Sequence, residues 1–490
     1  MSDFENEIQE IKEEIANETK EEFVEKKRFR DYLFFFSGQQ ISILGSSIVS
    51  FILIWWITET TQSELMLGIA SLVSMGPYLL VVPFSGVIAD KVNKKKLLII
   101  VDALQSLFTV ILTIFFMIFY DPNSSQYTTF LLTMVFVTSG LRGVMQAFHS
   151  PVVSSLVPIM IPKKHLSRMN GVNYLINGII NVIGPALGAV LLSFIGIRIS
   201  LWIDLATFLI AVIPLILIKI PSVIKEKDTK ITFVKDFKEG IDVIRNIKGL
   251  FSVIFIATLI NFFFAPLGTL LPIFINKVHS GNEGNYALVM GFLQAGVIIG
   301  ALFMTFFKGF KNKIRTAIML IIIMFIGQGL LILVPTTLNA RFWIIGIILF
   351  FTIITNPASN VSFNTSLQLL IPKDKMGRVS SVLSFLAGAI TPIGSFLAGV
   401  IGEFIPVAYL FTGSSIIGVV IMLSLYYFTP AKNLDSEIKA KMEEQTKLEE
   451  EEESSSEAFK DVFDSAEEQI KSPEPFRLEE KIVLPEPNLE

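Results

Sequence analysis

Between Tyr32 and Phe428 the chain alternates long apolar runs, of 18 residues or more, with short polar breaks. About 20 apolar residues in a helix cross the roughly 30 Å of bilayer hydrocarbon. The pattern therefore predicts about twelve transmembrane helices, at 32–57, 65–88, 97–119, 128–153, 169–195, 199–220, 250–275, 286–307, 315–334, 342–364, 379–402 and 405–428. The fold class that follows is an all-α integral membrane protein, with the lipid bilayer as its first partner.

The polar breaks carry an orientation. With a cytoplasmic N-terminus, the loops on the cytoplasmic side hold 22 Lys and Arg, and the opposite loops hold three, Arg198, Lys277 and Arg341. Basic flanks stay cytoplasmic during insertion. The expectation is a multi-pass plasma (inner) membrane protein with both termini cytoplasmic and an even number of spans. The first thirty residues are highly charged and have no apolar leader-type core, so the first span is expected to direct insertion itself.

Outside the apolar body the pattern changes. Residues 1–31 form an acidic tail in which Phe4, Ile8, Ile11 and Ile15 recur at helical spacing, as in a short amphipathic helix. Residues 221–249 connect the sixth and seventh spans. There Phe233, Phe237, Ile241 and Ile244 share one face, opposite Lys235, Lys238, Asp242 and Arg245, the pattern of an interfacial helix. Residues 429–490 are acidic, polar and proline-bearing, and are expected to be a disordered tail. Either tail could receive a cytoplasmic partner. The linker divides the spans into six-helix bundles at 32–220 and 250–428. The two halves look alike: 161–190 and 371–400 share eleven identities in thirty at a constant offset of 210, among them Arg168 with Arg378 and Gly184 with Gly394. Parallel repeats of this kind are the organisation of six-plus-six transporters.

Composition narrows the chemistry. Of the residues, 52% are hydrophobic and 17% charged, below the roughly 25% of soluble domains. There is no cysteine, which excludes disulfides and thiolate chemistry, and there are only three scattered histidines. Neither HExxH nor GxSxG occurs, and no phosphate-binding GxxxxGK[ST] loop. An enzyme is not expected, nor a cofactor, a metal site or a nucleic-acid partner. The energy source would be an ion gradient. A receptor or scaffold using the charged tails is the other class open, though the repeat favours transport.

The candidate residues are the polar ones that the apolar pattern makes costly. An ionisable group near the centre of a span costs at least about 2.5 kcal/mol, and such groups tend to be functional. Arg142 is the deepest, Asp102 sits about a turn and a half inside the third span, and Asp204 as far inside the sixth. Asp102 and Arg142 are a candidate pair, although their depths match only loosely. His149, near the inner end of the fourth span, reads more readily as a packing or capping residue than as a proton relay. Asn173, Asn177 and Asn181, and Asn356, Asn360 and Asn364, form two ladders of spacing four, each on one helical face. Such faces line a cavity or hydrogen-bond a neighbouring helix.

The tight turn Gly86-Val-Ile-Ala-Asp90-Lys91-Val-Asn93-Lys94-Lys95-Lys96 is the strongest motif. Its lysines obey orientation rules, and Asp90 is placed to latch onto a helix N-terminus, worth roughly 0.3–2 kcal/mol. This turn resembles the signature between spans two and three of the major facilitator superfamily. Leu141-Arg-Gly-Val-Met-Gln-Ala-Phe-His-Ser-Pro151, Lys238-Glu-Gly-Ile-Asp-Val-Ile-Arg245 and Met376-Gly-Arg-Val379 further resemble its drug and macrolide efflux branch. The resemblance implies two six-helix bundles and alternating-access export of a small amphipathic or apolar molecule, by proton antiport. It implies that Asp90 meets Gly377 and Arg378 in a gate that includes Gly86, Lys91, Lys94 and Lys95, and that Arg142 takes part in proton coupling. Gly184-Pro185-x-x-Gly188 resembles the antiporter signature of span five, with Ala189 in place of its closing glycine. Many proton-coupled drug exporters of the superfamily carry an acid in span one, whereas this chain has Gln39 and Gln40 near the inner end of that span and no mid-membrane acid. A relative moving siderophores, peptides or lipids would carry the same signatures.

Overall fold

In the computed structural model, residues 2–122, 124–218, 233–307, 309–372 and 375–443 are described. Linker residues 219–232 and the acidic tail beyond 443 lie outside the described residues.

Among the described residues fourteen named α-helices follow one another: α1 Ser2–Thr61, α2 Glu64–Lys91, α3 Lys94–Phe119, α4 Thr128–Met160, α5 Leu166–Ser200, α6 Trp202–Leu217, α7 Phe233–Asn246, α8 Leu250–Ile273, α9 Glu283–Phe306, α10 Lys313–Leu330, α11 Arg341–Ile353, α12 Asn356–Leu370, α13 Met376–Gly402 and α14 Val407–Phe428. Among the described residues, eleven segments are long and apolar enough to cross a membrane, with α11 and α12 counted as one, and the 16-residue α6 is a shorter apolar helix.

Three boundaries differ from the sequence expectation, each for a local reason, and a fourth, at Gly196, falls where the sequence places it. The N-terminal tail is not a separate helix but runs unbroken into the first span, because no glycine or proline intervenes before Gly38. The fourth span continues past 153 to Met160. The fifth and sixth spans are divided at Gly196, whose φ of +72° only glycine adopts freely, and helix resumes directly after it. The tenth span is interrupted between Ile353 and Asn356, where Pro357 enters the first turn of α12 and has no N–H to continue the ladder. The start of the C-terminal tail is also folded rather than disordered. Pro430–Asn433 form a 3₁₀ turn, Ala431 and Leu434 are buried, and the Asp435 carboxylate caps α10 through Ile314 N–H at 2.8 Å and Arg315 N–H at 2.9 Å.

Helix packing repeats between the halves. In the first half α1 packs on α5 and α6, α4 on α2 and α3, and α3 on α6. In the second half α8 packs on α13 and α14, α11 on α9 and α10, and α10 on α14, which are the same five neighbours. The halves then meet through α2 with α13 and α5 with α9, a pair of contacts that the repeat exchanges. The offset of 210 in sequence is thus a repeat in space: Gly178 faces Ile298 of α9, and Gly388 faces Leu79 of α2.

The linker helix α7 has the expected amphipathic pattern, but its apolar face is spent on α13 rather than left on a leaflet. Gly240 lies against the Arg378 carbonyl and Val382, Phe237 meets Phe385 edge-on at 5.6 Å, and Glu239 pairs with Arg378 at 3.2 Å.

Candidate functional site

Helices α1–α6 enclose a cavity of about 690 Å³. It runs from Tyr32 and Val157, near the lysine-rich end of the bundle, up to Leu53 and Leu112. Polar groups line it in two layers. In the deeper layer, Arg142 donates to Asp204 at 3.1 Å and to Ser46 at 3.0 Å, and also bonds Thr109. Ser46 donates to the other Asp204 oxygen at 3.0 Å. Four helices are joined there, and the Asp204 side chain is only 6% exposed. Arg142 therefore pairs with Asp204, not with Asp102. The cause is the turn at Gly196: Asp204 lies eight residues beyond it, about 12 Å deep at 1.5 Å per residue.

Asp102 belongs to the second layer. It accepts from Gln39 at 3.2 Å and meets His149 Nε2 at 3.3 Å, and the same nitrogen lies 3.1 Å from Gln39 Oε1. Both oxygens are acceptors, so Nε2 carries a proton. The layers are seven residues apart on α3, Asp102 to Thr109, and seven apart on α4, Arg142 to His149, which stacks them about two turns apart. His149 is thus a cavity residue. The sequence favours a packing or capping role for it, near the expected end of span four at 153, whereas α4 continues to Met160 and sets it deeper.

The asparagine ladders divide. Asn173 and Asn177 line the cavity, linked to each other at 2.9 Å, while Asn181 is exposed and is not part of its wall. Asn356, Asn360 and Asn364 all line a second cavity, of about 250 Å³, in the second half, together with Asn261. Gly184 and Gly188 are where α5 lies on α1: a Cβ on Gly184 would collide with the Ser47 hydroxyl, and one on Gly188 would lie 2.8 Å from Phe51. Pro185 is buried beside them.

At the lysine-rich end the side chains of Asp90 and Lys91, and the surroundings of Gly86, lie outside the described residues. Lys94 donates to Ser155 at 2.7 Å. Lys95 caps the C-terminus of α6 through the carbonyls of Ile216 and Ile218, each at 2.7 Å. Gly377 is exposed, and Arg378 holds Glu239 of α7.

The opposite end is sealed by contacts that each take one member from either half. Lys277 meets both Glu64 oxygens, at 2.9 and 3.1 Å. Glu403 accepts from the Ser63 hydroxyl and from Leu65 N–H at 3.0 Å, and Ser193 donates to Glu283 at 2.6 Å. Gln62 bonds Asn276. Tyr286 stacks on Phe51 at 5.2 Å and Trp55 at 5.8 Å. A Cβ on Gly399 would lie 2.9 Å from Gly68 Cα, so these glycines let α13 and α2 touch. One apolar cluster runs through this end from Ile52 and Trp56 to Leu270, Phe342 and Phe411. The apolar cluster at the lysine-rich end holds first-half residues alone, such as Leu98, Val152 and Leu215. Glu403 has its carboxyl held below the usual range by the Ser63 hydroxyl and then by the Leu65 N–H.

A repeated six-helix bundle with a charged cavity, sealed at one end, is the architecture of a membrane transporter. The chain belongs to the Major Facilitator Superfamily, whose pattern it matches over residues 35–392. It is similar to macrolide efflux protein A of Streptococcus pyogenes, 26% identical over 396 residues that cover 79% of this chain and 93% of that one. It is also similar to the staphyloferrin A transporter of Staphylococcus aureus, 24% identical over 84% of this chain and 98% of that one. In fold it resembles a bacterial homologue of the iron transporter ferroportin in its inward-facing state, with a TM-score of 0.59 and 15% identity over 81% of this chain and 99% of that one.

Proposed function

We propose that this protein is a secondary active exporter of small amphipathic or apolar molecules, working by alternating access and driven by proton antiport. The observation that carries the reading is the cavity itself: a buried Arg142–Asp204 pair under a largely apolar wall, at the end of a bundle sealed on the opposite side. The likeness to macrolide efflux protein A supports the substrate class. With the lysine-rich end cytoplasmic, the structure is the inward-facing state, and both termini lie in the cytoplasm at the plasma membrane. The moving bodies are the halves 32–220 and 250–428. On switching, the lysine-rich end closes and Asp90 exchanges into contact with the start of α13 at Gly377 and Arg378. Asn173 and Asn177 in the first cavity, and Asn356, Asn360 and Asn364 in the second, offer hydrogen bonds to substrate. The acidic tails are the candidate segments for a cytoplasmic partner.

The likeness to a staphyloferrin A transporter favours a second reading, export of a siderophore, peptide or lipid by the same machinery. The test is accumulation of a fluorescent amphipathic dye in cells expressing the protein, with and without a protonophore. The first reading expects lower accumulation than in empty cells, abolished by the protonophore and by Arg142→Ala. Accumulation equal to that of empty cells, with the protein present in the membrane, counts against it.

A further inference from the structure

Two acid–base pairs line the cavity, and they differ chemically. The Arg142 guanidinium keeps its proton at any physiological pH. Its partner Asp204 also accepts from Ser46, so neutralising Asp204 would strand a largely buried cation. That pair is fixed. The Asp102–His149 pair is not, because an imidazole, unlike a guanidinium, can be neutral or protonated.

The charge of the wall follows from this. With His149 neutral and both carboxyls ionised, Asp102 and Asp204 oppose Arg142 alone, and the wall carries one net negative charge. With His149 protonated the wall is neutral. The other titratable groups facing the cluster are two phenols, Tyr32 on α1 and Tyr78 on α2, uncharged at neutral pH. Among the described residues, α5 brings the uncharged Asn173 and Asn177 to the wall, and α6 brings Asp204 and Phe208. On α3, Lys94 and Lys95 are tied to Ser155 and to the α6 carbonyls. Aromatic faces that attract cations, Phe36 and Tyr78 among them, share the wall.

We propose that the Asp102–His149–Gln39 cluster is a site at which an amphipathic organic cation and a proton exchange. The cation binds while the imidazole is neutral, against the Asp102 carboxylate. A proton taken by the second ring nitrogen of His149 cancels that charge and releases the cation. One proton enters for each monovalent cation that leaves, and the only bond formed is N–H. Gln39 spans both partners and keeps Asp102 placed in either charge state. The inference rests on the exporter reading and adds to it a charge on the substrate and a residue pair for the proton.

The experiment is equilibrium binding of tetraphenylphosphonium to the full-length protein in lipid nanodiscs, between about pH 5.5 and pH 8. Wild-type affinity is expected to fall about tenfold or more as the pH drops, since proton and probe compete for one charge. His149→Gln retains binding but loses the pH dependence. Asp102→Asn weakens binding about tenfold at the alkaline end, and Asp102→Glu restores it, which separates charge from misfolding. Wild-type binding that does not vary with pH overturns the proposal, as does a His149→Gln variant that follows the wild-type slope, or a wild-type protein that does not bind the probe. Export of the uncharged dye Nile red from cells, lost in Arg142→Ala, would in any of those cases leave the exporter reading standing; its absence would remove that reading as well.

Discussion

Arg142 sits on α4 and is held from three other helices, by Ser46 of α1, Thr109 of α3 and Asp204 of α6. Removing one partner of a buried pair costs about 3–5 kcal/mol, and the cost here belongs at the low end because the Arg142 side chain is 19% exposed to the cavity. Asp204→Asn is therefore expected to lower the thermal unfolding midpoint of the detergent-solubilised protein. The double variant Arg142→Met with Asp204→Leu should regain most of that stability without regaining transport. Equal stability of Asp204→Asn and wild type would show that the pair does not hold the helices together. The cost of burial made Arg142, Asp102 and Asp204 legible as individuals in the sequence. Their partners were not, because pairing depends on depth, and depth is set by where a helix turns. Asp204, eight residues past the turn at Gly196, reaches Arg142, and a two-turn extension of α4 gave His149 to Asp102.

The helices themselves were legible because each is an apolar run closed by polar residues, a local signal. Their interruptions were less so. The break before Asn356 needs both Pro357 and a neighbour to stabilise the bend, and the merging of the tail helix into α1 is continuity rather than a signal. The turns at the sealed end carry a consequence for pH. Glu403, at the end of α13, is held ionised by the α1–α2 turn. A carboxyl whose value is lowered in the sealed state stabilises that state fully above its ordinary value, and the contribution disappears as pH falls through the lowered one. Because the chain has no cysteine, spin labels on Phe194→Cys and Gly284→Cys report this end alone. The sealed distance is expected to lose population on acidification below the ordinary carboxylate range. Glu403→Gln should start with less sealed population at neutral pH and lose that part of the acid response. An identical titration in both proteins would contradict the role given to Glu403.

On the scale of the whole molecule, the repeat is what the sequence displayed most fully. Positions 210 apart fall on helices that make equivalent contacts, and the two interfaces between halves are each other's image. The conformation was not legible, because one sequence must support both states of a transporter: the glycines that close α2 on α13 at one end are matched by a latch motif at the other. The measurement that tests alternating access most directly is a pair of spin-label distances read together. One pair is Phe194→Cys with Gly284→Cys at the sealed end; the other is Lys164→Cys with Lys311→Cys at the lysine-rich end. The account predicts two populations that interconvert on acidification or on adding an exported dye, in which the first distance lengthens as the second shortens. Two distances that stay fixed under every condition, or that lengthen together, would contradict it.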